Sequence, residues 1–354
     1  MRARRKSEHL QLALQLPPGP LATGFEDVHA VHCAVPELDL DEVSLAVSLL
    51  GKPLRVPLII NAMTGGTAQG AAINRDLAAV AAEFGLGMAV GSQAVALEDP
   101  SLAYSFQVVR QVNPDGLLLA NVSARVSPDA ALRAVEMVGA DALQVHLNVP
   151  QELAMPEGDR GFRGLLENLT RLVSHSPVPV VAKEVGFGLS REAAAALLET
   201  GVAALDVGGA GGTNFLAIES ARGGPLGQEM TAWGIPTVAS LLEVLSLQPG
   251  VPVVASGGIQ DALQAAKALA LGANAVGMAA WFLHRWHRGG AEEVRREVAA
   301  FEYRLRAAVL MSGAASVDEL GRRPVVITGA TAEWLRARDI DVRRWALPKG
   351  GGGG

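Results

Sequence analysis

One pattern constrains this chain more than any other: a short apolar run, a turn, then a longer Ala/Leu-rich stretch with helical spacing, repeated along its length. Eight apolar runs stand out: Pro57–Met63, Leu86–Gly91, Gly116–Val122, Ala142–Asn148, Val178–Val185, Ala204–Gly208, Val251–Gly257 and Ala275–Met278. Near-continuous apolar runs of this length suit parallel strands buried on both faces. The intervening stretches predict helices, most clearly over Ala71–Phe84, Pro128–Val138, Phe162–Leu172, Arg191–Thr200, Thr237–Leu247 and Asp261–Leu271. Gly85, Gly139, Gly201 and Gly272 stand at helix ends, where glycine adopts the left-handed conformation most freely. Eight such units within 354 residues predict an α/β fold, a (β/α)8 TIM barrel. The alternative, an open doubly wound sheet, would need a G-x-G-x-x-G turn after its first strand, and none is present.

The division that follows is an N-terminal extension over residues 1–50, a barrel over 51–345 and a flexible Gly-rich tail over 346–354. The formal net charge of −6 does not favour a nucleic-acid partner. The single cysteine, Cys33, allows no internal disulfide and no thiolate metal site, which fits a reduced, cytoplasmic compartment. No run approaches the ~20 apolar residues of a membrane helix, and the start of the chain is too mixed for a signal peptide. Basic residues concentrate at Arg2, Arg4, Arg5 and Lys6. Taken alone they read as a solvated tail.

In a barrel, chemistry sits at the carboxyl ends of the strands. Those ends carry Thr64-Gly65-Gly66, Ser92-Gln93, Asn121, then His146, Asn148, Gln151 and Glu152, then Lys183-Glu184, Gly208 to Asn214, Ser256-Gly257-Gly258, and Ala279-Ala280. Polar or glycine residues at nearly every end favour a ligand site. The Ser256-Gly257-Gly258 turn followed by the turn at Ala279-Ala280 suits an anion, because backbone amides and a helix N-terminus point at it there. Lys183 sits inside the apolar run VVAKEV, so it must meet an anion or a polar ligand. The pyrimidine edge of a flavin would serve, and so would a Schiff base. Glu152 is a candidate Mg²⁺ ligand, since Mg²⁺ usually takes one or two carboxylates plus substrate phosphates; as a bland alternative it is an exposed loop residue.

The segments Arg5-Lys6-Ser7-Glu8-His9, Ala62-Met63-Thr64-Gly65-Gly66, Val90-Gly91-Ser92-Gln93, Leu147 to Glu152 with Pro156 to Arg160, Lys183-Glu184-Val185-Gly186, Gly209 to Asn214 and Ser256-Gly257-Gly258 resemble the type 2 isopentenyl diphosphate isomerases, in order and through nearly the whole chain. The resemblance implies conversion of isopentenyl to dimethylallyl diphosphate with reduced FMN, Mg²⁺ and NADPH as reductant, without net redox change. It implies FMN against Ala62, Met63, Thr64, Ser92, Asn121, Lys183, Thr213, Gly257, Gly258, Ala279 and Ala280. It implies the diphosphate substrate near Arg5, Lys6 and His9, further substrate contacts at Asn148 and Gln151, Mg²⁺ on Glu152, and a homo-oligomer, either tetramer or octamer. Some members carry a basic residue after the Ser-Gln pair, where this chain has Ala94.

Moving a double bond by one carbon adds a proton at one end and removes one at the other. The candidates for that work are Gln151, His146 and the flavin itself, since no carboxylate pair stands at the strand ends. Two rival readings lack their reacting group. A hydroxy-acid oxidase would want a histidine on a late strand loop, but the sixth reads GGAGGTNF; an inosinate-type dehydrogenase would want a loop cysteine, but Cys33 precedes the barrel. A non-catalytic flavin or phosphate module would not need the Asn-x-x-Gln-Glu group.

Overall fold

The computed structural model describes residues 2–347, with side chains from residue 6 onward. The Arg5 side chain and the Gly-rich stretch from 348 on lie outside the described residues.

Eight parallel strands close into a barrel: β1 (Leu58–Ile60), β2 (Gly87–Ala89), β3 (Leu118–Ser123), β4 (Ala142–Leu147), β5 (Val180–Glu184), β6 (Ala204–Asp206), β7 (Val253–Ser256) and β8 (Ala275–Met278), each paired with the next and β8 with β1. Every expected strand is present; β8 matches its apolar run to the residue and the others are somewhat shorter. The helices Ala68–Phe84, Pro128–Val138, Arg191–Glu199, Thr237–Ser246 and Ala262–Leu271 fall where the spacing put them. The one expected at Phe162 begins instead at Leu165. Gly164 holds φ +78° just ahead of it, which breaks a right-handed helix and leaves Phe162 in a loop, under the guanidinium of Arg125.

Register sorts each strand into an outer and an inner row, because successive side chains point to opposite faces. Leu58, Ile60, Leu118, Ala120, Val122, Leu143, Val145, Val180, Ala182 and Val276 belong to the core shared with the helices. Inside, Ile59, Ala89, Leu119, Ala142, Val181, Ala204, Val254 and Ala275 form a separate apolar cluster. One inward position further along the strands the residues turn polar: Asn61, Asn121, Gln144, Lys183, Asp206 and Ser256, all buried. The register pairs Asn121 with Gln144, Ser123 with His146, His146 with Lys183, and Lys183 with Asp206. An apolar floor thus carries a polar layer at the carboxyl end.

The N-terminal residues surround this barrel at several points. The hairpin Val47–Leu49/Lys52–Leu54 packs Leu49 and Leu54 into the inner apolar cluster, closing the barrel from below. Val28–Ala30 pairs antiparallel with Val325–Ile327, a strand the sequence pattern did not reveal. The helix Arg2–Gln15 touches the short helix Phe215–Ala221 that follows β6. No helix among the described residues is long and apolar enough to cross a membrane.

Candidate active site

The polar layer is one continuous hydrogen-bonded belt. Asp206, 1% exposed, collects donors from Lys183 Nζ (3.4 Å), Asn61 Nδ2 (2.8 Å), the Gly208 N–H (3.2 Å) and the Ser256 hydroxyl. Lys183 also donates to Ser256 Oγ at 3.3 Å and to the Glu184 carbonyl at 2.9 Å. From Asn61 the belt runs through Gln144 and Asn121 to the ring of His146. Removing charges and amides from water is costly unless each finds a partner, and here each does. The lysine expected to need a partner has one in Asp206, which the sequence reading did not identify. The signal was present: Asp206 is a lone acid in an apolar strand, as Lys183 is a lone base in the strand beside it.

Electrostatics divides the titratable groups. Burial, reinforced by the charges of Lys183 and Lys6, pushes His146 down to about 4, so its ring is neutral at pH 7. Glu184 points away from the belt and accepts from the Phe187 and Gly188 N–H groups at 2.6 and 3.1 Å; burial outweighs those bonds and the nearby Lys183, raising it to about 8.

Above β6 and β7 two glycine loops meet backbone to backbone. A Cβ on Gly257 would stand 2.1 Å from the Gly209 carbonyl oxygen, and one on Gly258 2.5 Å from that of Gly211; both glycines hold positive φ, +109° and +70°. Only glycine fits there. Thr23 packs into the same place, and Gly19 donates to the Gly212 carbonyl at 2.9 Å, so residues 19–23 are part of this wall. Sequence reading missed them because nothing in Gly19 to Thr23 resembles a motif. Among the described residues, the N–H groups of Thr213, Gly257, Gly258, Ala279 and Ala280 donate to no other protein group, and Ala280 opens the helical segment Ala280–Met311, which breaks at Gly289 and Gly290. Ala62, Met63 and Thr64 follow β1, and Thr64 Oγ1 is buried without a partner. Gly91 donates to the Thr64 carbonyl at 2.9 Å, which places Ser92 beside that loop.

The expected substrate residues fall into two groups. Asn148, Gln151 and Glu152 share a short helix, Val149–Ala154, and its leading residue: Asn148 Nδ2 donates to Gln151 Oε1 (3.2 Å) and to Glu152 Oε1 (3.0 Å). Glu152 Oε2 accepts from the Asp159 N–H at 3.0 Å, while Asp159 pairs with Arg125, also at 3.0 Å. His146, Asn148 and Glu152 line one small cavity together with Ser123 and Phe162. From the N-terminal helix, Lys6 donates to the Ser92 carbonyl and lies over the Phe106 ring. His9 Nε2 approaches the fully buried carboxylate of Glu219 to 2.8 Å without the alignment of a hydrogen bond. Arg222 joins Glu219, Glu8 and Glu157 in one ionic cluster that ties this helix down.

Among solved structures, a mandelate oxidase with (S)-mandelic acid aligns with a TM-score of 0.68 over 93% of this chain and 98% of that one, at 19% identity, which shows the shared barrel fold. The family model described as FMN-dependent dehydrogenase matches residues 163–327. Isopentenyl-diphosphate delta-isomerase of Symbiobacterium thermophilum is 51% identical over 97% of both chains. Its counterpart from Moorella thermoacetica is 49% identical over 95% of this chain and 97% of that one, and the one from Bacillus licheniformis 44% over 96% and 97%. With identity of this order along nearly the whole of each sequence, the chain belongs to the isopentenyl-diphosphate delta-isomerase family.

Proposed function

We propose that the protein is an isopentenyl-diphosphate delta-isomerase, an FMN-dependent enzyme that moves the double bond between isopentenyl and dimethylallyl diphosphate with no net redox change. One observation carries this reading: likeness to the isomerases reaches 51% identity over 97% of both chains, whereas likeness to the oxidases, at 19% identity, is that of fold.

The residues present fit FMN. Unspent N–H groups at Gly257, Gly258, Ala279 and Ala280 suit its phosphate, as loops after the seventh and eighth strands of barrels commonly do. The orphaned Thr64 hydroxyl and the ammonium of Lys183 suit the ring system, with Ala62, Met63, Ser92, Asn121 and Thr213 completing the contact. Reduced FMN would supply a nitrogen able to give up and regain a proton. Mg²⁺ usually takes one or two carboxylates plus substrate phosphates, and Glu152, whose two oxygens each accept only one hydrogen bond among the described residues, would hold the ion together with water and the diphosphate.

The chain's own side chains then divide the work. Lys6, with Arg5 and His9, would grip the diphosphate. Asn148 orients the Gln151 amide and the Glu152 carboxylate together. His146, neutral at pH 7, can accept a proton or hold a water against the hydrocarbon end. NADPH would serve only to reduce the flavin, and the enzyme would work in the cytoplasm as a homo-oligomer, a tetramer or octamer. Turnover in deuterated water tests the reaction: the reading expects deuterium in the dimethylallyl product and, by reversal, in recovered substrate. Conversion without deuterium uptake would overturn it.

A further inference from the structure

Four side chains inside the barrel hand hydrogen bonds along in one direction only. Asp206 Oδ2 accepts from Asn61 Nδ2 at 2.8 Å, and an ionised carboxylate can only accept. That turns Asn61 Oδ1 toward its neighbours, where the Ala62 N–H, which can only donate, reaches it at 3.0 Å. The two ends of the Asn61 amide are therefore fixed by independent partners of opposite kind. Gln144 Nε2 donates to the same Asn61 oxygen at 3.3 Å, which leaves Gln144 Oε1 to accept from Asn121 Nδ2 at 3.3 Å. Asn121 Oδ1 is then the atom facing His146 Nδ1, 2.7 Å away. An oxygen in that place requires a donor, so Nδ1 must carry the ring proton.

We infer that Asp206, through Asn61, Gln144 and Asn121, is a positioning group that locks His146 in the Nδ1–H tautomer and keeps Nε2 as a bare acceptor toward the substrate. Nε2 makes no hydrogen bond among the described residues, and the ring lines the cavity shared with Asn148 and Glu152. The ring is neutral at pH 7 because burial and two lysines disfavour its charged form, so a single proton has to be allotted between two nitrogens. Three amides and one carboxylate, drawn from β3, β4, β6 and the residue after β1, settle where it goes. The inference deepens the reading of His146 as a proton acceptor and rests on it for its consequence in catalysis, though not for the tautomer itself.

Neutron diffraction from deuterated crystals of the FMN-loaded protein reads the tautomer directly. The expected result is deuterium on Nδ1 and none on Nε2. In Gln144→Leu the Asn121 amide loses the acceptor that orients it, and His146 is expected to carry deuterium on Nε2 in part or in full. Gln144→Glu, which can still accept from Asn121, should preserve Nδ1. Deuterium on Nε2 in the unaltered protein overturns the inference whatever the variants do, and so does an unchanged His146 in a folded Gln144→Leu. The expected companion result is a fall in kcat of at least tenfold for Gln144→Leu, with KM little changed. A shifted tautomer with unchanged kcat would leave the relay standing and remove His146 from the proposed chemistry.

Discussion

Lys6 donates its ammonium to the carbonyl of Ser92 at 2.5 Å, across 86 positions of sequence. The bond fastens the N-terminal helix to the loop that follows β2. It puts a cation beside residues expected to meet the flavin, which a free tail would not do. The ionic cluster of Arg222 with Glu8, Glu157 and Glu219 holds the same helix from its other side.

A clamp of this kind should be felt in substrate binding. Replacing Arg5 and Lys6 together by alanine removes two or three charge-assisted bonds to a diphosphate, each worth ~1.5–3 kcal/mol. At ~1.4 kcal/mol per factor of ten, KM for isopentenyl diphosphate should rise about 10²-fold or more. The FMN dissociation constant should be unchanged, because the residues proposed for the flavin phosphate lie in the loops after β7 and β8. Steady-state kinetics beside a flavin titration checks both, and a double variant with unaltered KM would remove the clamp.

Lys183 and Asp206 neutralise one another inside the barrel. Losing one partner of a buried pair leaves an uncompensated charge and typically costs about 3–5 kcal/mol. Lys183→Ala should therefore lower the denaturation midpoint of the FMN-free protein, and adding Asp206→Asn should recover part of the loss. In the FMN-loaded protein Lys183→Ala should also weaken flavin binding and make the flavin harder to reduce. Strictly additive destabilisation in the double variant would contradict the pairing.

Glu184 gives the protein a pH dependence of known sign. Its folded-state value is about 8 against an ordinary 4.5, so between these limits the folded state binds the proton more tightly than the unfolded one. Its contribution is complete below the unfolded value and is lost as pH rises toward 8. His146, held near 4, works the other way, but only below about its ordinary 6.5. The clean window is pH 6.5 to 8. There Glu184→Gln should lose less stability with rising pH than the unaltered protein, as read from urea midpoints. Parallel curves would show that Glu184 is ionised in the fold at neutral pH.

Glu152 already accepts from Asn148 and Asp159, leaving lone pairs on both oxygens for a cation. Glu152→Gln keeps an acceptor and loses the charge. The expected outcome is a sharp rise in the Mg²⁺ concentration needed for half-maximal activity. Normal activity at low Mg²⁺ would remove Glu152 as the ligand.

The barrel was legible because its strands are long in apolar residues and its helices end at glycines; Pro128–Val138 and Ala275–Met278 match to the residue. Local motifs carried the loops as well: the Ser256-Gly257-Gly258 turn needs positive φ, and no other residue type supplies it as readily. The belt was hidden for a different reason. Asn61 and Gln144 are each ordinary in their own segment, and what joins them to Asp206 is a closed barrel that brings positions 61, 144 and 206 into one layer. Thr23 and Gly19 were hidden likewise, since their role is the backbone space they occupy against Gly211 and Gly212. The role of a side chain set by distant neighbours appears only once the fold has brought them together.

The most direct test of the account is a turnover assay with a count of reductant. The purified protein is loaded with FMN, supplied with Mg²⁺ and isopentenyl diphosphate, and reduced by a limiting amount of NADPH under anaerobic conditions. The account predicts many molecules of dimethylallyl diphosphate formed for each NADPH consumed. Product formation in step with NADPH oxidation, or none at all with the flavin bound and reduced, would contradict it.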